Sequence, residues 1–408
     1  MDVRSVLVED ARRMLACLAS GRITPAPAVT AKPASIYTDT EQFEREKERL
    51  FRRVPLLLAA SCELPAPGDC KVMDVVGVPL LIVRGQDGVV RTFLNACTHR
   101  GASLMRECGR AARLTCPYHA WSFRLDGSLL GIAAKDSFGE VDADAAGLVS
   151  FPTTERAGLV WAILDPAATP DFDAFLGGFD QLLAQFGFET WHLFESRSLQ
   201  GANWKLAFDA HLEFYHLPVL HRATFGPGMS NLAEYFYHGP HQRLGLLTRA
   251  DHVLEQDDIA GLADKPESEW PLASLLFGEW IVFPNVSINC FYKGGRGVIL
   301  SQVWPGPTVG ESTTVQIFLH ENPPGEERMA DAQAMSDFLG QVVGTEDLPM
   351  SRQQQEVLSS GLLREVRFGR NEGGVQHFHD WVDRFANAPE DLSAADVLGS
   401  APLSSGNP

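Results

Sequence analysis

Two pairs of residues stand out for the chemistry their spacing allows: Cys97-Thr98-His99 and Cys116-Pro117-Tyr118-His119, separated by 16 residues. Each pair offers one thiolate and one imidazole from the tip of a tight loop. Two such loops can face one another across a binuclear iron–sulfur cluster, with both Cys on one iron and both His on the other. Replacing two thiolates by neutral imidazoles removes negative charge and raises the reduction potential, which suits passing single electrons onward. A zinc ribbon with two Cys and two His is the competing reading, although such ribbons rarely open on C-x-H. Cys108 lies between the halves with no His beside it and reads as a small apolar filler.

A second run, Glu213-Phe214-Tyr215-His216-Leu217-Pro218-Val219-Leu220-His221, carries two His five residues apart. Two His and one remote carboxylate on one side of a metal make the facial triad of non-haem Fe(II) sites, with positions left for O2 and water. On a regular α-helix the two rings would diverge by about 140°. Pro218 between them clashes with the carbonyl of Phe214, so the helix is expected to be widened or broken there. Glu213 and His216, three apart, share a face. The third ligand must come from elsewhere in the chain. Glu346-Asp347 ahead of Pro349 is the candidate, and the alternative is an acidic pair placed only to favour a helix N-terminus.

The elements that must hold these residues follow from periodicity. Residues 5–18 read as a helix, followed by a Pro-rich linker over 24–33, and 40–52 read as a second helix. From 55 to 166 short strands and turns take over, with 71–76, 79–83 and 89–94 as strands and Asp126-Gly127 as a hairpin turn. This all-β stretch contains the whole Cys/His pattern. Residues 171–188 read as helical, then strands lie near 280–290, 297–304 and 313–320, and helices at 326–343, 349–359 and 374–385. The tail 391–408 is small and polar and is expected to fray.

Here a resemblance enters. Tyr37-Thr38-Asp39, Pro67-Gly68-Asp69, Phe93-Leu94-Asn95-Ala96-Cys97 and Cys116-Pro117-Tyr118-His119-Ala120-Trp121 look like the Rieske domain of the aromatic-ring-hydroxylating oxygenase α-subunits. Asn203-Trp204-Lys205, the His216/His221 run and Glu346-Asp347…Gln355…Ser360-Gly361 resemble that family's catalytic segment. The resemblance implies an α+β fold: an all-β Rieske [2Fe–2S] domain beside a helix-grip (START-like) domain, with a large antiparallel sheet covered by helices. It divides the chain into an N-terminal helix and linker (1–35), the Rieske domain with its lead-in helix (36–166), the catalytic domain (167–390) and a flexible tail (391–408).

It further implies a [2Fe–2S] cluster on Cys97, His99, Cys116 and His119, and a mononuclear Fe(II) on His216, His221 and Asp347, with Glu346 as the fallback ligand. Glu213 would be the acid that bridges the cluster of one subunit to the iron of its neighbour in a head-to-tail homotrimer. Three departures are visible: Glu213 where the family usually has Asp, Ala210-His211 where Asn would follow Asp209, and Ala120 where Gly is usual. His211 could line the pocket, while His377 and His379 read as structural. His192, His238, His241, His252 and His320 read as surface or hydrogen-bonding residues.

The implied activity is terminal oxygenation of a small substrate with O2, using electrons from NAD(P)H through a reductase, with or without a ferredoxin and a β-subunit. Phe208, Phe214 and Tyr215 suit an aromatic or apolar substrate. As an alternative, Glu213 resembles the branch of the family that oxidises or demethylates quaternary ammonium compounds such as carnitine. A Rieske electron-transfer protein with a non-catalytic binding domain is the reading from another class.

Composition bounds the rest. The 408 residues suggest two or three cores. A formal charge of −18 argues against a nucleic-acid binder. No run of about 18 apolar residues suggests a spanning helix, and the N-terminus lacks the order of a secretory signal. Seven Cys, two of them in metal-like spacing, point to a reducing, cytoplasmic setting. Arg100, Arg106, Arg110 and Arg113 around the cluster loops are either solvated surface charges or a patch for an acidic electron donor.

Overall fold

The computed structural model describes residues 2–226, 229–247, 259–325, 329–389 and 392–399. Its largest sheet has seven antiparallel strands in the spatial order His192–Gly201, Ser312–His320, Arg296–Pro305, Val286–Tyr292, Glu279–Val282, His241–Leu246, Ala233–His238. Residues in register across such strands point to the same face. Glu279 faces Asn289, which faces Ile299, and Ser301 faces Gln316. The helices Met329–Val342, Leu348–Ser359 and Gly373–Ala386 complete this α+β body.

Residues 56–162 form three small antiparallel sheets. The five-stranded one runs Ser150–Phe151, Val90–Leu94, Val78–Arg84, Asp69–Val75, Gly109–Arg110. A three-stranded sheet of Leu114–Thr115, Ser122–Phe123 and Leu129–Gly131 carries the second Cys/His loop. Leu81, Val83, Phe93, Leu114, Trp121 and Phe123 pack into a separate core beneath both loops.

Several expected elements changed shape. The helix read over 171–188 is broken into Phe172–Leu176, Phe179–Leu183 and two 3₁₀ turns, because Gly177 and Gly178 both take positive φ. The Pro-rich linker ends in a strand, Thr30–Pro33, paired with Glu365–Phe368. The N-terminal helix Val3–Ser20 is docked on the catalytic body through Arg13–Glu234 and Arg243–Asp10. The helix Thr40–Glu46, capped by Asp39, also belongs to that body: buried Glu46 accepts hydrogen bonds from Lys205 and Trp204. In the tail, Ala394–Gly399 is a helix with Val397 buried, not a frayed segment. The remainder of the tail and His252 lie outside the described residues.

Strand His192–Gly201 and the hairpin Ala233–His238/His241–Leu246 escaped sequence reading. The first is a polar edge strand whose inward positions are only half-buried and whose outward ones are exposed. The second had a usable signal in the Gly239-Pro240 turn.

Candidate functional site: two metal-ligand clusters and a cavity

The two Cys/His loops share one backbone design. Cys97 N–H donates to Ala102 O (2.8 Å) and Gly101 N–H donates to Cys97 O (2.8 Å). Cys116 N–H donates to Trp121 O (2.8 Å) and Ala120 N–H donates to Cys116 O (3.0 Å). Each loop needs a left-handed residue four places after its Cys: Gly101 at φ +77° and Ala120 at φ +57°. The β-carbon of Ala120 is therefore a strained substitution rather than a neutral one.

Buried Asn95 staples the first loop, accepting from Leu104 N and Met105 N and donating to Met105 O. Both Cys side chains are buried, and the His99 and His119 rings lie 4.9 Å apart. His99 stacks on Trp121 at 5.0 Å, with Phe138 at its edge. His119 Nδ1 is buried with no hydrogen-bond partner. Two buried thiols and an unpartnered buried imidazole nitrogen fit the donor set of a mixed-ligand [2Fe–2S] cluster. Cys108 is exposed near Val72, away from the four.

In the second region the chain breaks as the proline demands. Pro218 sits in the first turn of the short helix Leu217–Leu220, where its missing N–H costs nothing. His216 precedes that helix, and His221, at φ −94° and ψ 15°, ends it. The helix is interrupted rather than widened, and the two rings come within 5.1 Å. The widened turn lies elsewhere: Val343–Asp347 is a π-helical turn between two α-helices, and it presents Glu346 and Asp347.

His216, His221 and Asp347 converge, with their ligand atoms all within 4.8 Å of one another. Asp347 Oδ1 lies 3.1 Å from His221 Nε2 and 3.7 Å from His216 Nε2, yet accepts no aligned hydrogen bond despite being buried. That orphaned carboxylate oxygen between two imidazole nitrogens fits a divalent cation. Behind each imidazole stands a carboxylate. Glu213 accepts from His216 Nδ1, and Glu346 accepts from His221 Nδ1 (2.6 Å) and from Thr224 Oγ. Both rings therefore carry their proton on Nδ1 and turn Nε2 to the metal position. Glu346 is thus placed behind His221, outside the converging set. The Glu213 carboxylate also accepts from Tyr215 N and His216 N (3.1 Å), so the Glu213–His216 contact is made in a turn rather than on a helix face.

The framework residues around the two His have simple jobs. Asn203 caps the helix Trp204–Asp209. Gln355 accepts from Asn203 N and donates to Tyr37 O. His379 pairs with Asp209 (2.9 Å) and stacks on Phe368, and His377 stacks on Tyr237. Burial pushes His377 down to about 4, so it stays neutral. His241 and His320 are fully buried and hydrogen-bonded, and His238 is packed against Phe179.

A cavity of about 160 Å³ opens beside the triad, lined by His211, Phe214, Phe225, Phe277, Glu279 and Phe291 among others. Of the aromatics flagged in sequence, only Phe214 faces it. Phe208 is fully buried against Phe378, and Tyr215 is exposed outside. His211 does line the cavity, held by Glu279, a residue sequence reasoning missed. Its one signal was a lone carboxylate opening the otherwise apolar strand Glu279–Val282. A second, open cleft on the other side of the triad shares Glu213, His216 and Asp347.

Residues 54–152 match the Rieske [2Fe-2S] domain and 188–388 the catalytic domain of the ring-hydroxylating α-subunit. The chain belongs to the Rieske non-haem iron oxygenases, as the α-subunit type that carries both centres. Within that family it resembles the carnitine monooxygenase oxygenase subunits. That of Escherichia coli (strain K12) is 30% identical over 364 residues, 85% of this chain and 91% of that protein. That of Acinetobacter baumannii is 34% identical, over 86% of this chain and 94% of its own length. Among solved structures, a quaternary ammonium Rieske monooxygenase in complex with gamma-butyrobetaine gives a TM-score of 0.73 at 25% identity, covering 88% of this chain and 97% of that one. Naphthalene 1,2-dioxygenase from Rhodococcus sp., at 21% identity and TM-score 0.71 over 94% and 99%, shares the fold. The chain is a terminal oxygenase of a multicomponent system that draws on a reductase, O2 and an organic substrate.

Proposed function

We propose that this oxygenase monooxygenates a small quaternary ammonium compound, with balance R–H + O2 + 2e⁻ + 2H⁺ → R–OH + H2O. The observation that carries the proposal is the cavity itself. Its lining combines the converging His216, His221 and Asp347, the polar pair His211–Glu279 and the rings of Phe214, Phe225, Phe277 and Phe291. Aromatic faces attract an ammonium group, and none of the described lining residues is Lys or Arg to repel one. The carnitine and glycine betaine monooxygenase subunits among its relatives support the same class.

When bound, the cluster supplies single electrons, and the iron supplies the site at which O2 is reduced. The chain's own residues do the rest. Cys97, His99, Cys116 and His119 hold the cluster, and His216, His221 and Asp347 hold the iron. Glu213 and Glu346 fix the tautomers of the two iron-facing imidazoles. The apolar walls exclude water from the reacting bond.

Electrons reach the triad from a neighbouring subunit in a head-to-tail homotrimer. Exposed Tyr118 and Phe138 surround the cluster loops, and exposed Tyr215, Val219, Met350 and Leu363 surround Glu213, so two apolar faces await partners. A closed ring of heterologous contacts joins such faces. Arg100, Arg106 and Arg113 are exposed beside the cluster and suit an acidic reductase or ferredoxin domain. No described helix is long and apolar enough to cross a membrane. All seven Cys are unpaired, which fits the cytoplasm.

The test is turnover of the holoenzyme with a reductase, NAD(P)H and ¹⁸O2 against trimethylammonium and aromatic substrates. Incorporation of one labelled oxygen into a trimethylammonium substrate, or into the fragment it releases, supports the proposal. Labelled product from aromatic substrates alone overturns it.

A further inference from the structure

The cavity beside the triad has a near end and a far end, and one strand runs between them. In the strand Val286–Tyr292, Ser287, Asn289 and Phe291 alternate onto one face of the sheet, the face that carries Glu279. Asn289 and Phe291 both line the cavity, and Phe291 stands roughly 7 Å farther along it than Asn289 and Glu279. There it joins Ile299 and Phe318 in a small buried cluster, with the Phe318 ring at 5.3 Å and Leu339 packed against the group. Leu339 precedes Asp347 by eight residues, about 12 Å of helix, so Phe291 closes the end of the cavity away from the triad.

Across the ladder Phe291 pairs with Gly297, and a β-carbon at Gly297 would fall 2.3 Å from two atoms of the Phe291 ring. Gly297 has no left-handed φ to account for it. What its missing side chain provides is room for an aromatic ring to lie against the backbone. We propose that Phe291 sets the length of substrate the site accepts, and that Gly297 is a positioning residue that keeps the ring down against the sheet and out of the cavity. Ile299 and Leu339 also line the cavity beside it, so a substrate reaching this end meets hydrocarbon and gains by filling it with hydrocarbon. This holds whatever headgroup the substrate carries, so it goes beyond the quaternary ammonium reading and does not depend on it.

The test is steady-state kcat/KM of the holoenzyme, with a reductase and NAD(P)H, on two series of rising chain length: n-alkyltrimethylammonium ions and n-alkylbenzenes. In wild type kcat/KM rises with chain length to a limit and then falls. Phe291→Ala moves that limit to longer chains, each further methylene that fits adding roughly fourfold. Gly297→Ala lifts the ring off the sheet into the cavity and moves the limit to shorter chains. The double variant behaves like Phe291→Ala, because no ring is left to lift. Should Phe291→Ala fail to fold, Phe291→Leu makes the same shift by a smaller step. A merely structural role would lower kcat/KM for all lengths alike, and a limit that stays in place in the Phe291 and Gly297 variants overturns the inference. A second readout needs no turnover: crystals of wild type and Phe291→Ala under xenon. Xenon in the space left by the ring, continuous with the cavity at the triad, is expected, and a cavity of unchanged length overturns the inference. Wild type accepting no trimethylammonium ion removes the quaternary ammonium reading alone, and the alkylbenzenes and xenon then decide the role of Phe291.

Discussion

Replacing Glu346 by Gln should loosen the mononuclear iron without touching the cluster. Glu346 accepts the Nδ1 proton of His221 at 2.6 Å and is oriented by Thr224, while Asp347 Oδ1 sits between the two Nε2 atoms. The amide keeps the shape but gives up the charge that makes His221 a stronger donor to metal. Partners of this kind are worth roughly 10–100-fold in metal affinity, or about 1.4–2.7 kcal/mol. The assay is iron per chain by mass spectrometry after dialysis against graded chelator, with the cluster's visible absorbance as an internal reference. Glu346→Gln should shift the chelator midpoint for one iron by that factor, whereas Asp347→Asn should lose that iron at the lowest chelator concentration. A midpoint within twofold of wild type would refute the orienting role. The reverse order of severity would make Glu346 the ligand.

Other outcomes follow from the same geometry. Ala120→Gly removes left-handed strain from the second cluster loop and should stabilise the protein by about 1 kcal/mol, read as a rise in thermal midpoint. Lys205→Met leaves the fully buried Glu46 without its cation, with only Gln42 Nε2 (3.0 Å) and Trp204 Nε1 (2.9 Å) as donors, and should cost roughly 3–5 kcal/mol in denaturant unfolding. Burial holds His241 at about 3 and His238 and His377 at about 4, below the ordinary 6.5. Their stabilisation is complete above pH 6.5 and is lost as pH falls toward those values, because only the unfolded chain takes up the protons. Each contributes a slope of about 1.4 kcal/mol per pH unit in that window. His241→Phe, stacked on Phe179 as the imidazole is, should flatten the fall in stability between pH 6.5 and 5. An unchanged slope would contradict the assignment.

The candidate ligands were legible because metal chemistry dictates residue type and spacing; the structure brings the His99 and His119 rings together and makes His216, His221 and Asp347 converge. Pro218 announced a break between His216 and His221, and the structure interrupts the helix there. What stayed hidden depends on tertiary packing. The π-helical turn that delivers Asp347 has no sequence signature of its own. Glu279 and Asn95 act through partners brought together only by the fold. The polar edge strand His192–Gly201 lacks the alternation of a half-buried strand. Gly177-Gly178, both at positive φ, is the one local signal of the break within 171–188.

In the proposed route, one chain binds both centres and Glu213 connects the cluster of one subunit to the iron of the next. The most direct measurement is a single turnover: the reduced holoenzyme is mixed with substrate and O2, and cluster absorbance and product are followed together, in wild type and Glu213→Ala. Coupled cluster oxidation and product formation are expected in wild type. The variant is expected to retain the two cluster irons and the mononuclear iron, with the cluster still reduced over the same interval. Cluster oxidation at the wild-type rate in Glu213→Ala would contradict that route.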